Sequence, residues 1–231
     1  MFSDINFLLV GNSRLHWAKY SKNQSKFFHT KKEQKVPENI NLDQLIWASV
    51  GKLQKFLLKK ENEIKTKDIK LSNLSDNFGV DRALACIAAL KIIENPFKKD
   101  LLIVDCGTIL SITKLNSNGS IIGGQLLPGF LTQLKSMEQN TKNLTVPKKY
   151  DIPIKDFLID TEEAILKGVI NSLTGVINSL FNPEKDILII CGGDSQLLTK
   201  SLKTQKDNII NAPNLVMEGM IIHHLSVKKL A

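Results

Sequence analysis

Arginine is nearly absent from this chain: of its 31 basic residues only two are Arg, at positions 14 and 82, and the rest are Lys. Fork-shaped recognition of phosphates or guanine edges along a groove has almost no side chains to work with, so the formal net charge of +8 is not by itself a nucleic-acid signature. There is no helix-turn-helix pattern, no zinc spacing and no aromatic interleaving among the Lys. Cysteine is scarce too. Cys86, Cys106 and Cys191 lie far apart without a CxxC spacing, which excludes a zinc cluster or a disulfide framework and reads as three small buried hydrophobes. Long apolar runs are missing as well: Phe7–Val10 and Leu101–Val104 stop far short of the roughly 18 residues that cross a bilayer. The first residues lack a basic lead and carry Asp4 and Asn6 where a signal peptide has its apolar stretch, so a cytoplasmic location with no membrane partner is expected.

What is there is a chain of 231 residues, 42% of them apolar, enough to bury a core unaided. Asn6–Val10 and Leu15–Tyr20 read as strands around a Gly11-Asn12-Ser13 turn, and residues 45–50 as a further buried strand. The dense Lys stretch from Lys52 to Lys70 keeps Leu53, Phe56, Leu57 and Ile64 at helical spacing, which predicts a helix with a solvated face. From Asp81 the chain is small and apolar on nearly every side; this predicts a buried helix with Asp81 near its N-cap and Asn95-Pro96 as its stop.

At Leu101 the opening pattern recurs: strand, Gly with small polar residues, strand, an Asn118-Gly119 turn, strand. The offset is about 96 residues when Gly11 is laid over Gly107. The repeat predicts an α/β protein of two related lobes, residues 1–97 and 98–231. Helices are expected at 129–140, 161–181 and 215–225, and a strand at Ile187–Cys191. In the 161–181 helix Leu166, Val169, Ile170, Leu173, Val176, Ile177 and Leu180 share an apolar face, and Gly168 and Gly175 are expected to allow close packing on one flank. His16 with Trp17 on the second strand reads as packing, and His223 beside His224 as one packed and one solvated ring.

Four turns place small or acidic residues at the end of an apolar strand or the start of a helix: Gly11-Asn12-Ser13, Gly79-Val80-Asp81-Arg82, Asp105-Cys106-Gly107-Thr108 and Gly192-Gly193-Asp194. Glycine lets backbone amides approach an anion, and neighbouring hydroxyls and amides add donors, which is what a nucleotide phosphate chain requires. Singly, each is an ordinary turn, Asp81 only a helix cap, and Asp105 simply the end of a strand. Two of them on duplicated hairpins, with a Gly-Gly turn after a late strand, together point to a nucleotide.

In this order, with Arg14 closing the first turn, Gly123-Gly124 and Pro128-Gly129 in the middle and Thr161 to Gly168 later, the chain resembles the type III pantothenate kinases from about residue 6 to 220. The resemblance implies two ribonuclease-H-like lobes of the acetate and sugar kinase, heat-shock protein and actin superfamily around a central cleft. It implies a homodimer, for which the apolar face of the 162–181 helix is the expected surface, and no nucleic-acid partner. It implies ATP-dependent phosphorylation of pantothenate to 4'-phosphopantothenate, the first step of coenzyme A biosynthesis. Carried over by position, Asp81 is the base that takes the proton of the pantothenate hydroxyl, and Gly79, Val80, Arg82 and Thr161 hold pantothenate. Gly11, Asn12, Ser13 and Arg14 cradle the ATP phosphates, Thr108 touches ATP, Gly192 and Gly193 border the adenosine, and Asp105 binds a monovalent cation, K+ or NH4+. One residue departs from the pattern. Many members carry Asp where this chain has Leu9, so the carboxylate expected to steer the nucleotide's Mg2+ is missing and Asp105 with the phosphates is left to hold the metal. That departure and the charge of +8 define the alternative: a catalytically impaired protein of the same fold acting by binding or regulation, on nucleic acid for instance; a nucleotide hydrolase is a third reading.

Overall fold

The computed structural model describes residues 4–34, 36–38, 40–52, 58–93, 99–203 and 207–230. The chain forms two compact units, one of Met1–Pro96 with Gly119–Ile121 and Asn214–Ala231, the other of Phe97–Asn118 with Ile122–Pro213. The chain passes into the second unit after Pro96 and returns to the first for Gly119–Ile121 and again from Asn214.

In the first unit β1 (Ile5–Val10), β2 (Arg14–Ser21) and β3 (Gln24–Lys31) form an antiparallel meander, and β4 (Ile46–Ser49) lies parallel to β1, giving the order β3-β2-β1-β4. Lys22 and Asn23 both have positive φ, 49° and 60°, which sets the two-residue connection between β2 and β3. Leu8, Val10, Leu15, Trp17, Leu45 and Trp47 pack as one core, and each indole N–H is satisfied: Trp17 Nε1 donates to Thr30 Oγ1 at 3.0 Å, Trp47 Nε1 to the Lys59 carbonyl at 2.8 Å.

The Lys-rich stretch corrects its expectation. Over residues 58–70 there is no α-helix, only short 3-10 turns at Lys60–Asn62 and Thr66–Asp68, because the segment runs beside β4 and the Ile64 amide donates to the Trp47 carbonyl at 2.7 Å. Leu53, Phe56 and Leu57 lie outside the described residues. The buried helix is α1 (Val80–Ile92), with Gly79 at its N-cap and Asp81 at its second position; the expected Asn95-Pro96 stop lies outside the described residues.

The second unit repeats the plan. β5 (Asp100–Cys106) pairs antiparallel with β6 (Ile109–Leu115), β7 (Ile121–Pro128) follows, and after α2 (Phe130–Asn140) and α3 (Thr161–Leu180) β8 (Asp186–Cys191) lies parallel to β5. α4 (Ser195–Ser201) leads to β9 (Ile209–Asn211), and the order is β7-β6-β5-β8-β9, the first four strands matching the first sheet. The apolar face of α3 is spent on this core: Leu166, Val169, Ile170, Leu173 and Ile177 are all buried within the unit, so that face is not a free dimer surface. Nor do Gly168 and Gly175 mark a packed flank, since a Cβ at either would meet nothing within 4 Å.

The chain then returns to the first unit as α5 (Leu215–Leu230), which lies against α1. Contact is close enough that a Cβ on Gly219 would collide with the Leu84 carbonyl, and the small side chains of α1, Ala85, Ala88 and Ala89 among them, are buried. His223 is buried, and the His224 ring stands edge-on to Phe7 at 5.6 Å with its Nε2 buried and without a hydrogen-bond partner among the described residues, so neither ring is the solvated one expected.

Candidate functional site

The turn after β1 is built by two glycines in backbone contact. Gly11 donates its N–H to the Arg14 carbonyl at 3.1 Å, while the N–H groups of Val50 and Gly51, just past β4, both donate to the Val10 carbonyl at 3.0 Å. A Cβ on Gly51 would run into the Gly11 carbonyl oxygen, so glycine is required there by space. Ser49 Oγ donates to the Gly51 carbonyl at 2.8 Å and stiffens the same corner. Asn12, Ser13 and Arg14 are exposed at its tip.

The end of β4 also reaches the second turn. Ser49 and Val50, with Glu63, Ile64, Lys65, Thr66, Phe78, Gly79 and Val80, line a cavity of about 410 Å³, within the range that takes a small-molecule substrate. Thr66 Oγ1 donates to the Phe78 carbonyl at 2.7 Å and fixes the approach to α1. Asp81 follows directly. Its Oδ1 accepts the Arg82 N–H at 2.8 Å, and burial pushes its carboxyl above the ordinary carboxylate range against the pull of that N–H and of the Arg82 charge. The Arg82 guanidinium lies over the Phe78 ring, 4.0 Å from its centroid, which holds it beside the turn.

In the second unit the glycine logic repeats. Gly107 donates to the Ile109 carbonyl at 3.2 Å, Gly129 to the Thr108 carbonyl at 3.0 Å, and Thr132 Oγ1 to the same carbonyl at 2.6 Å. A Cβ on Gly129 would strike the Gly107 carbonyl. Gly192 has φ 85°, and a Cβ there would strike the Asp105 carboxylate, so the late Gly-Gly turn is laid directly on Asp105. Asp194 N–H donates to the Cys106 carbonyl at 3.0 Å, and the Cys106 thiol is pushed well up by burial and by the charges of Asp105 and Asp194.

The structure therefore groups the expected residues in two sets. Gly11, Asn12, Ser13 and Arg14 adjoin the end of β4, which lines one cavity with Gly79 and Val80, next to Asp81 and Arg82. In the second unit Asp105 and Gly192 are in contact, Gly193 follows in the same turn, and Thr108 lies in the β5–β6 turn with its carbonyl against Gly129. Thr161 opens α3, whose cap is the Asp160 side chain accepting from Glu163 N–H at 2.9 Å, and it shares no hydrogen bond with the Asp105 set among the described residues. Sequence reasoning missed Ser49, Gly51 and Phe78. Only the aromatic directly before Gly79 carried a signal; Ser49 and Gly51 matter through a contact 40 residues away in the chain.

Among the described residues no three His, Cys, Asp or Glu side chains form a metal cage. A divalent ion that arrives on nucleotide phosphates needs only one or two protein carboxylates, and Asp105 can be one of them.

The family model for type III pantothenate kinases matches residues 37–182. A type III pantothenate kinase from Synechocystis sp. is 30% identical, over 94% of this chain and 89% of its own length. Among solved structures, a Campylobacter jejuni protein assigned to the Baf family of transcriptional activators superposes with a TM-score of 0.70 at 21% identity, covering 97% of this chain and 100% of that one. A Sinorhizobium meliloti protein assigned as a 2-dehydro-3-deoxygalactonokinase gives 0.58 at 8% identity, covering 96% and 99%.

Proposed function

Because the chain belongs to the type III pantothenate kinase family, and so phosphorylates pantothenate with ATP in coenzyme A biosynthesis, we propose that Asp81 is the base of that reaction. Its two units have the mixed α/β fold of the acetate and sugar kinase, heat-shock protein and actin superfamily. The observation that carries the assignment is a half-buried carboxylate at the start of α1, directly after two residues that line the 410 Å³ cavity, with its pKa raised by desolvation. Desolvation raises a carboxyl's pKa and so makes it a stronger base than a fully exposed carboxylate.

The chemistry asks little else of the protein. Asp81 accepts the proton of the pantothenate primary hydroxyl as that oxygen attacks the γ-phosphorus, the bond to the β-phosphate oxygen breaks, and ADP leaves with the electron pair. Gly79 and Val80 offer backbone to pantothenate, Arg82 is the fixed cation for its carboxylate, and Thr161 is a further contact. The turn that Gly11 shapes presents Asn12, Ser13 and Arg14 to the phosphate oxygens, Thr108 touches ATP, and Gly192 with Gly193 borders the adenosine. Bound metal would supply charge neutralisation on the triphosphate, and Asp105 would hold it, or a monovalent cation such as K+ or NH4+.

No described helix is long and apolar enough to cross a membrane, and we place the enzyme in the cytoplasm as a homodimer. With the α3 face buried, the dimer needs another surface. Ile154, Phe157 and Ile159, 97%, 95% and 104% exposed, project from the segment before Thr161, which Lys167 pins through the Pro153 and Ile154 carbonyls and Asp156. Lys148 and Lys149 precede this group, with Asp151 between, and acidic Asp160, Glu162 and Glu163 follow it, so a two-fold copy can set these bases against these acids around an apolar centre. The test of the kinase reading is ADP release from ATP with and without pantothenate: release that requires pantothenate supports it, and release indifferent to pantothenate refutes it.

A further inference from the structure

Strands β2 and β3 set basic and titratable side chains on one face as two directly opposed pairs: Arg14 across from Lys31, and His16 across from His29. The two His Nδ1 atoms stand 3.0 Å apart, and the Arg14 charge acts on both rings. Lys32 adds another cation. Its Nζ lies 3.0 Å from where a Gly51 Cβ would stand, and His16 Nε2 lies 3.1 Å from the same point at Gly11, so ammonium and imidazole border the backbone contact that shapes the first turn. Among the described residues none of Arg14, Lys31 and Lys32 is in an ion pair with a carboxylate. Leu9, the register partner of His16, is buried and brings no charge.

Like charges placed directly opposite across an antiparallel pair repel, and the repulsion is relieved when a multiply charged anion sits among them. We propose that Arg14, Lys31 and Lys32, with the His16–His29 pair as hydrogen-bonding partners beside them, form a cationic seat for the polyphosphate chain of ATP at the first turn, neutralising it with protein charge where position 9 lacks a carboxylate to hold a metal ion. This rests on the kinase reading for the identity of the anion, and on the geometry alone for its existence. His16, read from sequence as a packing residue, thus faces the turn with one ring nitrogen and His29 with the other.

The test is calorimetric titration of the full chain, in EDTA, with ATP and separately with inorganic tripolyphosphate, repeated on Lys32→Gln, His29→Gln and Lys32→Arg. The inference expects wild type to bind both, each to compete with the other, and Lys32→Gln to weaken both about tenfold or more, near 1.4 kcal/mol. It also expects Lys32→Arg to restore binding, and the KM for ATP to rise in Lys32→Gln while that for pantothenate stays. Should Lys32→Gln fail to fold, His29→Gln carries the same expectation. Binding unchanged in both variants, or tripolyphosphate that binds without displacing ATP, overturns it. Pantothenate-independent turnover combined with the expected binding losses sinks the kinase reading and leaves the anion seat standing.

Discussion

Replacing Asp81 by Asn separates what the residue does for catalysis from what it costs the fold. Asn keeps the shape and an oxygen that can accept the Arg82 N–H now held at 2.8 Å, so α1 should start as before. It cannot take a proton. Loss of a general base is worth about 10²–10⁴ in rate, roughly 3–5 kcal/mol of transition-state stabilisation. Stability should move the other way. The folded pKa of Asp81 lies above its unfolded value because of burial, so the folded state binds more protons than the unfolded one between those two values. Folding is therefore weakened as pH rises through that window, and the penalty persists at neutral pH. Asn carries no such penalty, and replacements of this kind at active sites commonly gain about 0.5–2 kcal/mol. The assays are steady-state kinetics with saturating pantothenate and urea unfolding of both proteins at pH 7.5 and pH 4. We expect turnover down at least about a hundredfold, the variant more stable at pH 7.5, and the gap narrowing at pH 4. The wild-type kcat/KM should also fall with acid at a pH above the ordinary carboxylate range. A variant of unchanged turnover, or one destabilised at neutral pH while losing activity, would refute the reasoning.

Two further outcomes are expected. The His16 ring is held down from 6.5 to about 4, mainly by burial and then by the charges of His29 and Arg14. A folded value below the unfolded one contributes stability that is complete above pH 6.5 and is lost as pH falls toward 4, at most about 3 kcal/mol. Urea midpoints of wild type and His16→Gln measured across that range should converge as pH drops. Phe157→Asp places a charge at the centre of the exposed Ile154, Phe157 and Ile159 group; sedimentation should show monomer where wild type shows dimer, with the melting temperature of the chain little changed.

How much of this could be read from residues alone follows from which signals are local. The β1–β2 turn, the β5–β6 turn and the run from Val80 are written in short patterns, Gly with small polar residues between apolar strands and an Ala-rich segment, and they fold as they read. Duplication was visible because both halves use the same local device, and the matching strand orders β3-β2-β1-β4 and β7-β6-β5-β8 are its structural form. The Lys-rich stretch misled because helical spacing over residues 58–70 competes with a long-range bond, Ile64 N–H to the Trp47 carbonyl, that no window of sequence contains. α4 and β9 are seven and three residues long, too short to show a period. The α3 face misled in another way: periodicity says that a face is buried, and the choice between its own core and a second copy is decided by Phe130, Leu134 and the strands beneath.

Duplication also makes the two halves comparable position by position, and the comparison bears on Leu9. When Gly11 is laid over Gly107, Leu9 falls on Asp105. The second turn gathers carboxylates, Asp105 against Gly192 and Asp194 near Cys106; the first gathers the cations Arg14, Lys31 and Lys32 beside the His16–His29 pair. One turn is suited to a metal ion and the other to the phosphates themselves, so Leu9 is consistent with its surroundings and is not a lesion awaiting repair. Leu9→Asp tests this. The side chain is 6% exposed in β1 with Ala48 and His16 as strand partners, so the variant loses a buried Leu, about 2–5 kcal/mol, and must desolvate a carboxylate. Pairing with Arg14 or a protonated His16 can offset part of that and would draw those cations off the turn. We expect lower stability in urea, a higher KM for ATP, and no shift of the Mg2+ optimum in the kinase assay. A Leu9→Asp enzyme of wild-type stability with a raised kcat/KM and tighter Mg2+ dependence would show that position 9 needs its carboxylate after all, and the division of charge between the two turns would have to be abandoned.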